Sequence, residues 1–165
     1  MNPAHLHLLL NHIPVLGVAF GLAVLGWAMF RPRPDFARLA LVVFVVSALA
    51  AIPTYLSGEP AEEAIEGVAG VIEPWVEPHE EAALVSLVLV EGLGVLGLAA
   101  LWSTRRAASP SRPWMMASLA LALATAGSLA YTANLGGRIR HTEIRSGAPL
   151  PGDAGGATGG EHGER

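Results

Sequence analysis

The 165-residue chain contains no cysteine and no lysine, and few charged residues of any kind. Without cysteine there are no disulfides, zinc–thiolate sites, iron–sulfur clusters or thiol nucleophiles. Charged residues make up 15% of the chain, against about a quarter in a soluble domain. That deficit excludes a disordered chain and argues against an ordinary soluble globule. All ten basic residues are arginine, and fourteen acids outnumber them for a net charge of -4. Such a balance has no basic footprint for nucleic acid.

What fills the chain instead is apolar: 52% of it is hydrophobic, and the mean hydropathy is +0.47. A bilayer core needs roughly 20 apolar residues per helical span. Four stretches meet that length, at about 6–30, 36–56, 82–102 and 114–135. The first lacks a basic leading segment and is too long for a signal peptide, so it reads as a retained helix. The expected fold is therefore an all-α integral membrane protein, a four-helix up-and-down bundle spanning residues 1–145. Residues 146–165 are rich in Gly, Ala and Pro with no apolar period, and read as a disordered tail. Between the second and third spans, Gly58-Glu-Pro60 opens a short surface helix over 60–68.

The arginines set an orientation. Arg31, Arg33, Arg38, Arg105, Arg106 and Arg112 lie in or beside the two short connections, whereas residues 57–78 contain none. The positive-inside rule places the short connections in the cytoplasm and both termini outside. Arg138, Arg140 and Arg145 count against this, six against three. Trp27, Trp102 and Trp114 then mark the inner interface, and Tyr55 and Tyr131 the outer one.

This threading gathers the chemistry at one face. His5, His7 and His12 enter the first span from outside, His79 enters the third, and His141 and His162 follow the fourth. Glu59, Glu62, Glu63, Glu66, Glu73, Glu77, Glu80 and Glu81 all fall between spans two and three. His12 lies nearly two turns inside an apolar stretch, where an ionisable side chain normally faces the bundle interior. It reads either as a ligand or as a buried histidine bonded to a neighbouring carbonyl. His7 is about 140° round the helix from it, and Pro14 removes a hydrogen bond nearby. His79 is a candidate ligand, while Glu80 and Glu81 also suit the first turn of a helix. His141 follows Leu135-Gly-Gly137, a helix-stop signal, and reads as a ligand or as an interfacial residue. Glu91 falls near mid-span, where it is either a protonated structural group or part of a proton relay, with Ser47 and Thr125 at a similar depth to bond it. Gly92-x-Gly94-x-x-Gly97 is not a dinucleotide motif, since no strand precedes it. Together with Gly17-x-x-x-Gly21, it reads as close helix packing.

The segment His7-Leu-Leu-Leu-Asn-His12-Ile-Pro14 has the form H-x4-H-x-P. It resembles the start of a widespread, largely uncharacterised bacterial family of four-helix membrane proteins, whose members typically read H-P-x-L-V-H-F-P there. The match is carried by His7, His12 and Pro14 and by the four-span plan. The blocks Glu77-Pro-His-Glu-Glu81 and 136–145 depart from it, as in a distinct branch. Some members are fused to Rieske domains, which implies respiratory electron transfer in the bacterial inner membrane.

The leading expectation is a small b-type cytochrome-like electron-transfer protein or subunit, with haem b near the outer face. Paired imidazoles from different helices suit a four-helix bundle. His12 with His79 is the preferred pair, and His141 or His7 can replace either. Quinol or an outer-face electron carrier is the expected partner, within a possible larger respiratory complex. One alternative is a non-haem site for zinc, copper or iron built from His12, His79, Glu80 and His141. The other is an accessory subunit of a larger membrane complex. A bond-making enzyme is less favoured, because neither G-x-S-x-G nor H-E-x-x-H occurs.

Overall fold

The computed structural model describes residues 2–31, 33–71, 73–107 and 109–141. Among them every regular element is helical. The long helices are α1 (Pro3–Phe30), α2 (Pro34–Leu56), α4 (Val76–Ser103) and α5 (Arg112–Arg140), and α3 (Gly58–Glu63) is a single short turn region after α2. All four long helices are long and apolar enough to cross a membrane, as a multi-pass protein requires. The tail 146–165 and His162 lie outside the described residues.

Proline sits in the first turn of α1, α2 and α5, where its missing N–H costs nothing and its fixed φ suits the helix. α4 starts six residues before the expected 82, so His79 belongs to the helix. α5 runs on through Gly136 and Gly137 to Arg140, against the stop signal, because Gly136 is packed against His79 of α4. α3 stops at Glu63 rather than 68. The chain beyond it turns through Gly67 and Gly70 at φ +68° and +87°, a region that disfavours other side chains.

α1 packs on α2, α2 on α4 and α4 on α5, while α5 closes the ring against α1 in a thinner contact. Neighbours run antiparallel: His7 meets Thr54 while Gly21 meets Phe44, and Ser86 meets Ser128 while Gly92 meets Leu121. The interior positions repeat every seventh residue. Pro14, Gly21 and Ala28 form the stripe of α1; Ala40 and Ser47 that of α2; Ser86, Leu93 and Ala100 that of α4; Ser118 and Thr125 that of α5, all buried. A seven-residue repeat keeps one seam of each helix facing its partners over many turns.

In lipid, burial of apolar surface does not drive helices together, because the acyl tails are as apolar as leucine. Close packing and interhelical hydrogen bonds do that instead. Phe44 of α2 is fully buried and shows how closely these helices approach. A Cβ on Gly21 would come 2.5 Å from its ring, while on the other side of α2 a Cβ on Gly97 would stand 3.1 Å from the Leu41 carbonyl oxygen and one on Gly94 would collide with Ala48. At the end carrying the short connections, the arginine end, Arg38 Nη2 donates to the Ala107 carbonyl at 3.1 Å and Arg105 stacks 3.4 Å over Trp102. Gly21→Ala and Gly94→Ala should each destabilise the bundle by about 1–3 kcal/mol through overpacking. Gly127→Ala, which meets open space, should be neutral or gain up to about 1 kcal/mol from helix propensity. Unfolding titrations in mixed micelles compare the three, and equal effects would refute this account of the packing.

Candidate functional site

The stripes of α1 and α4 each continue one repeat past their last buried residue. Seven residues before Pro14 is His7, and seven before Ser86 is His79; both are half-buried. On the other two helices the same extrapolation reaches Thr54 and Thr132. One residue from each long helix thus occupies the outermost interior layer at the end opposite the arginines, the histidine end.

These four are joined in pairs. His7 Nδ1 lies 3.1 Å from the Thr54 carbonyl oxygen and 2.9 Å from Ser57 Oγ. Ser57 spends its own hydrogen on the Thr54 carbonyl at 2.7 Å, so both neighbours of Nδ1 are acceptors and this nitrogen carries the ring hydrogen. His79 Nδ1 likewise donates to the Thr132 carbonyl oxygen at 3.0 Å. In each neutral ring the lone pair is then on Nε2, the arrangement that orients a ligating histidine and raises its basicity. α1 and α4 are not neighbours in the ring of helices, so the imidazoles come from across the bundle. They stand close enough for a charge on His79 to act on His7.

Glycine makes room for one of the rings: a Cβ on Gly136 would come 2.9 Å from His79 Cε1, whereas one on Gly58 would lie in ordinary contact, 3.9 Å from His7 Cε1. Beneath His79 the polar contacts continue between α4 and α5. Ser86 Oγ bonds Ser128 Oγ at 2.7 Å and Thr132 Oγ1 at 2.9 Å, and Thr125 reaches the Leu89 carbonyl oxygen at 3.4 Å. Above the layer, Arg138 lies 5.0 Å over the Trp75 ring, tying the end of α5 to the turn that leads into α4.

The other expected site residues are placed differently. His12 is exposed on α1, and its Nδ1 is bonded to the Leu8 carbonyl one turn back on its own helix. Falling off the seven-residue stripe, it does not share the interior with His79. His141 is the exposed cap residue after α5, its N–H bonded to the Gly137 carbonyl oxygen at 2.9 Å. Glu80 shares a hydrogen bond with Glu62 of α3. Among the described residues no group of three or more His, Asp or Glu side chains is gathered as a metal site.

Glu91 is half-buried with Oε1 enclosed and without a hydrogen-bond partner among the described residues. Its expected partners are engaged elsewhere: Ser47 donates to the Val43 carbonyl and Thr125 to the Leu121 carbonyl, each at 2.8 Å. Hydroxyls in an apolar helix satisfy themselves on the preceding turn, and that local bond needs no neighbour. Composition did not single out Thr54, Ser57, Thr132 and Gly136. The seven-residue spacing back from Pro14 and Ser86 was the available signal for His7 and His79.

Comparison with protein families, curated proteins and solved structures finds no match to this chain.

Over the site lies an acidic cap. Desolvation, then the hydrogen bond and charge of Glu80, and then Glu66 and Glu59 hold the Glu62 carboxyl above its ordinary value. Glu62 therefore binds its proton more tightly in the folded chain than in the unfolded one. Its contribution to stability is present below the ordinary carboxylate pKa and is lost as pH rises through the raised value. Amide exchange in α3 should accordingly quicken across that window by more than the intrinsic pH dependence. Glu62→Gln should remove the excess; an unchanged profile in that variant would contradict the role of Glu62.

Proposed function

We propose that this chain is a small multi-pass membrane electron-transfer protein or subunit that holds haem b between His7 and His79, at the outer end of its helix bundle. The observation that carries the reading is the paired anchoring of these imidazoles. Each Nδ1–H is fixed on a backbone carbonyl, at 3.1 Å for His7 and 3.0 Å for His79, which leaves each Nε2 as the donor. His7 and His79, from helices across the bundle, would be the residues that hold a haem iron through their Nε2 atoms. A bare ion asks for three or more protein ligands, and no such group is gathered among the described residues.

When bound, the haem supplies a one-electron ferric–ferrous couple. The chain's own residues have three tasks. The Thr54 and Thr132 carbonyls fix the tautomer and plane of each imidazole. Gly136 lets α5 approach the His79 ring closely. The stacked hydroxyls of Ser86, Ser128 and Thr132 hold α4 and α5 together under His79. Quinol or an outer-face electron carrier fits as partner, because among the described residues the histidines stand at one end, which implies a short electron path rather than a transmembrane one. By the positive-inside rule the arginine-rich connections support a reading with that end, and both termini, outside a bacterial inner membrane.

The test is an optical spectrum of the detergent-purified chain, expressed with haem supplied, before and after reduction by dithionite. A Soret band and a sharp reduced α-band are expected. His7→Ala and His79→Ala should each abolish the low-spin α-band, whereas His12→Ala and His141→Ala should keep it. A folded, haem-supplied protein without these bands would refute the proposal.

Orientation has a separate test, aided by the absence of native cysteine. An impermeant maleimide should label Glu66→Cys in intact cells and Ser109→Cys only after lysis. The reverse pattern would invert the topology.

A further inference from the structure

The arginine end carries a cleft of about 310 Å³ between the start of α2, the start of α5 and the last turn of α1. Its floor is apolar, formed by Met29, Ala37 and Met115, and Arg33, Arg112 and Ser109 stand at its rim. We propose that this cleft binds the headgroup of an anionic phospholipid, the phosphate held by Arg33 and Arg112 and the acyl chains leaving over the methionines into the bilayer.

Three features of the cleft support an anion. Arg33 and Arg112 are both exposed, and among the described residues neither guanidinium has a bonded acid. Asp35, the acid in the first turn of α2, does not line the cleft. Two long helices also begin here, α2 at Pro34 and α5 at Arg112, and their caps, Arg33 and Ser111, make no side-chain capping hydrogen bond. The first N–H groups of a helix and its positive dipole end both favour an anion.

The apolar floor selects the source. A free phosphate would use the rim and leave Met29, Ala37 and Met115 bare, whereas a phospholipid covers both. Next in sequence to the lining residues Met29 and Met115, Phe30 and Met116 are 86% and 48% exposed, so the bundle surface at this end is apolar too. The cleft therefore opens where headgroups meet acyl chains, as in the basic pockets between membrane helices that take anionic lipids.

The full chain in a neutral detergent is titrated with phosphatidylglycerol, phosphatidylcholine or inorganic phosphate, while thermal unfolding and bound lipid are followed by native mass spectrometry. Phosphatidylglycerol should bind and raise the unfolding temperature; phosphatidylcholine and inorganic phosphate should not. The double variant Arg33→Gln/Arg112→Gln should bind phosphatidylglycerol roughly ten- to thirty-fold more weakly, from the share each arginine contributes at an anionic surface. Arg31→Gln, outside the cleft, should bind within about twofold of the parent chain. Should the double variant fail to fold, Ser109→Trp on the exposed rim fills the cleft without altering charge and should produce the same loss. Unchanged binding in both cleft variants would overturn the proposal. So would an equal loss in Arg31→Gln, which would mean unspecific charge, or a shift reproduced by inorganic phosphate alone.

Discussion

Phe44 is the side chain around which the bundle closes. Its ring lies against the bare backbone of α1 at Gly21, and its own helix lies against the bare backbone of α4 at Gly94 and Gly97. Each carbon pair in such a contact contributes only about 0.1–0.2 kcal/mol. Removing the Cβ atoms brings whole backbones into range, so many pairs act together. In a setting where apolar burial is nearly neutral between helices, this closeness holds three of the four helices together. α5 has the weakest claim on the rest. It meets α1 thinly and depends on α4, through the Ser86, Ser128 and Thr132 hydroxyls and the seat of His79 on Gly136.

The same spacing that packs the helices places the polar groups. The two outermost interior layers at the histidine end hold His7, Thr54, His79 and Thr132, then Pro14, Ser47, Ser86 and Thr125. Toward the arginine end the stripe turns to Gly21, Ala40 and Leu93, with Ser118 as its one polar member. Most of the interior polarity thus lies toward the histidine end, with Ser118 and Thr104 buried toward the other. Buried polar groups carry a cost unless bonded, and here the histidines and most hydroxyls meet it on backbone carbonyls. These bonds also orient the rings, so one set of contacts satisfies the interior and fixes the hydrogen of each imidazole on Nδ1. The two ends then differ: imidazoles under an acidic cap at one, the arginines of the short connections at the other.

Much was legible from composition and pattern. Four apolar stretches of sufficient length correspond to α1, α2, α4 and α5. The glycines at 17, 21, 94 and 97 do serve close approach between helices. Length and hydropathy carry this information because crossing a bilayer requires a run of apolar residues whatever the partners are. Local signals were less dependable at the ends. The Gly136-Gly137 pair reads as a stop by itself, yet the helix continues because His79 presses on Gly136 and the contact with α4 outweighs the glycine penalty of about 1 kcal/mol each.

The sequence by itself determined that this protein is helical, that four helices are long and apolar enough to cross a membrane, and that histidines and acids collect at one end of them. Only the tertiary structure decided which histidines meet. His12 is deeper in the apolar run than His7, so depth alone favours it, but rotation about the helix axis matters more than depth. Their 140° difference turns His12 outward onto the Leu8 carbonyl and His7 inward onto Thr54 and Ser57. That rotation is fixed by where Gly21 and Phe44 lock α1 against α2. A contact between two helices is not readable from either helix alone.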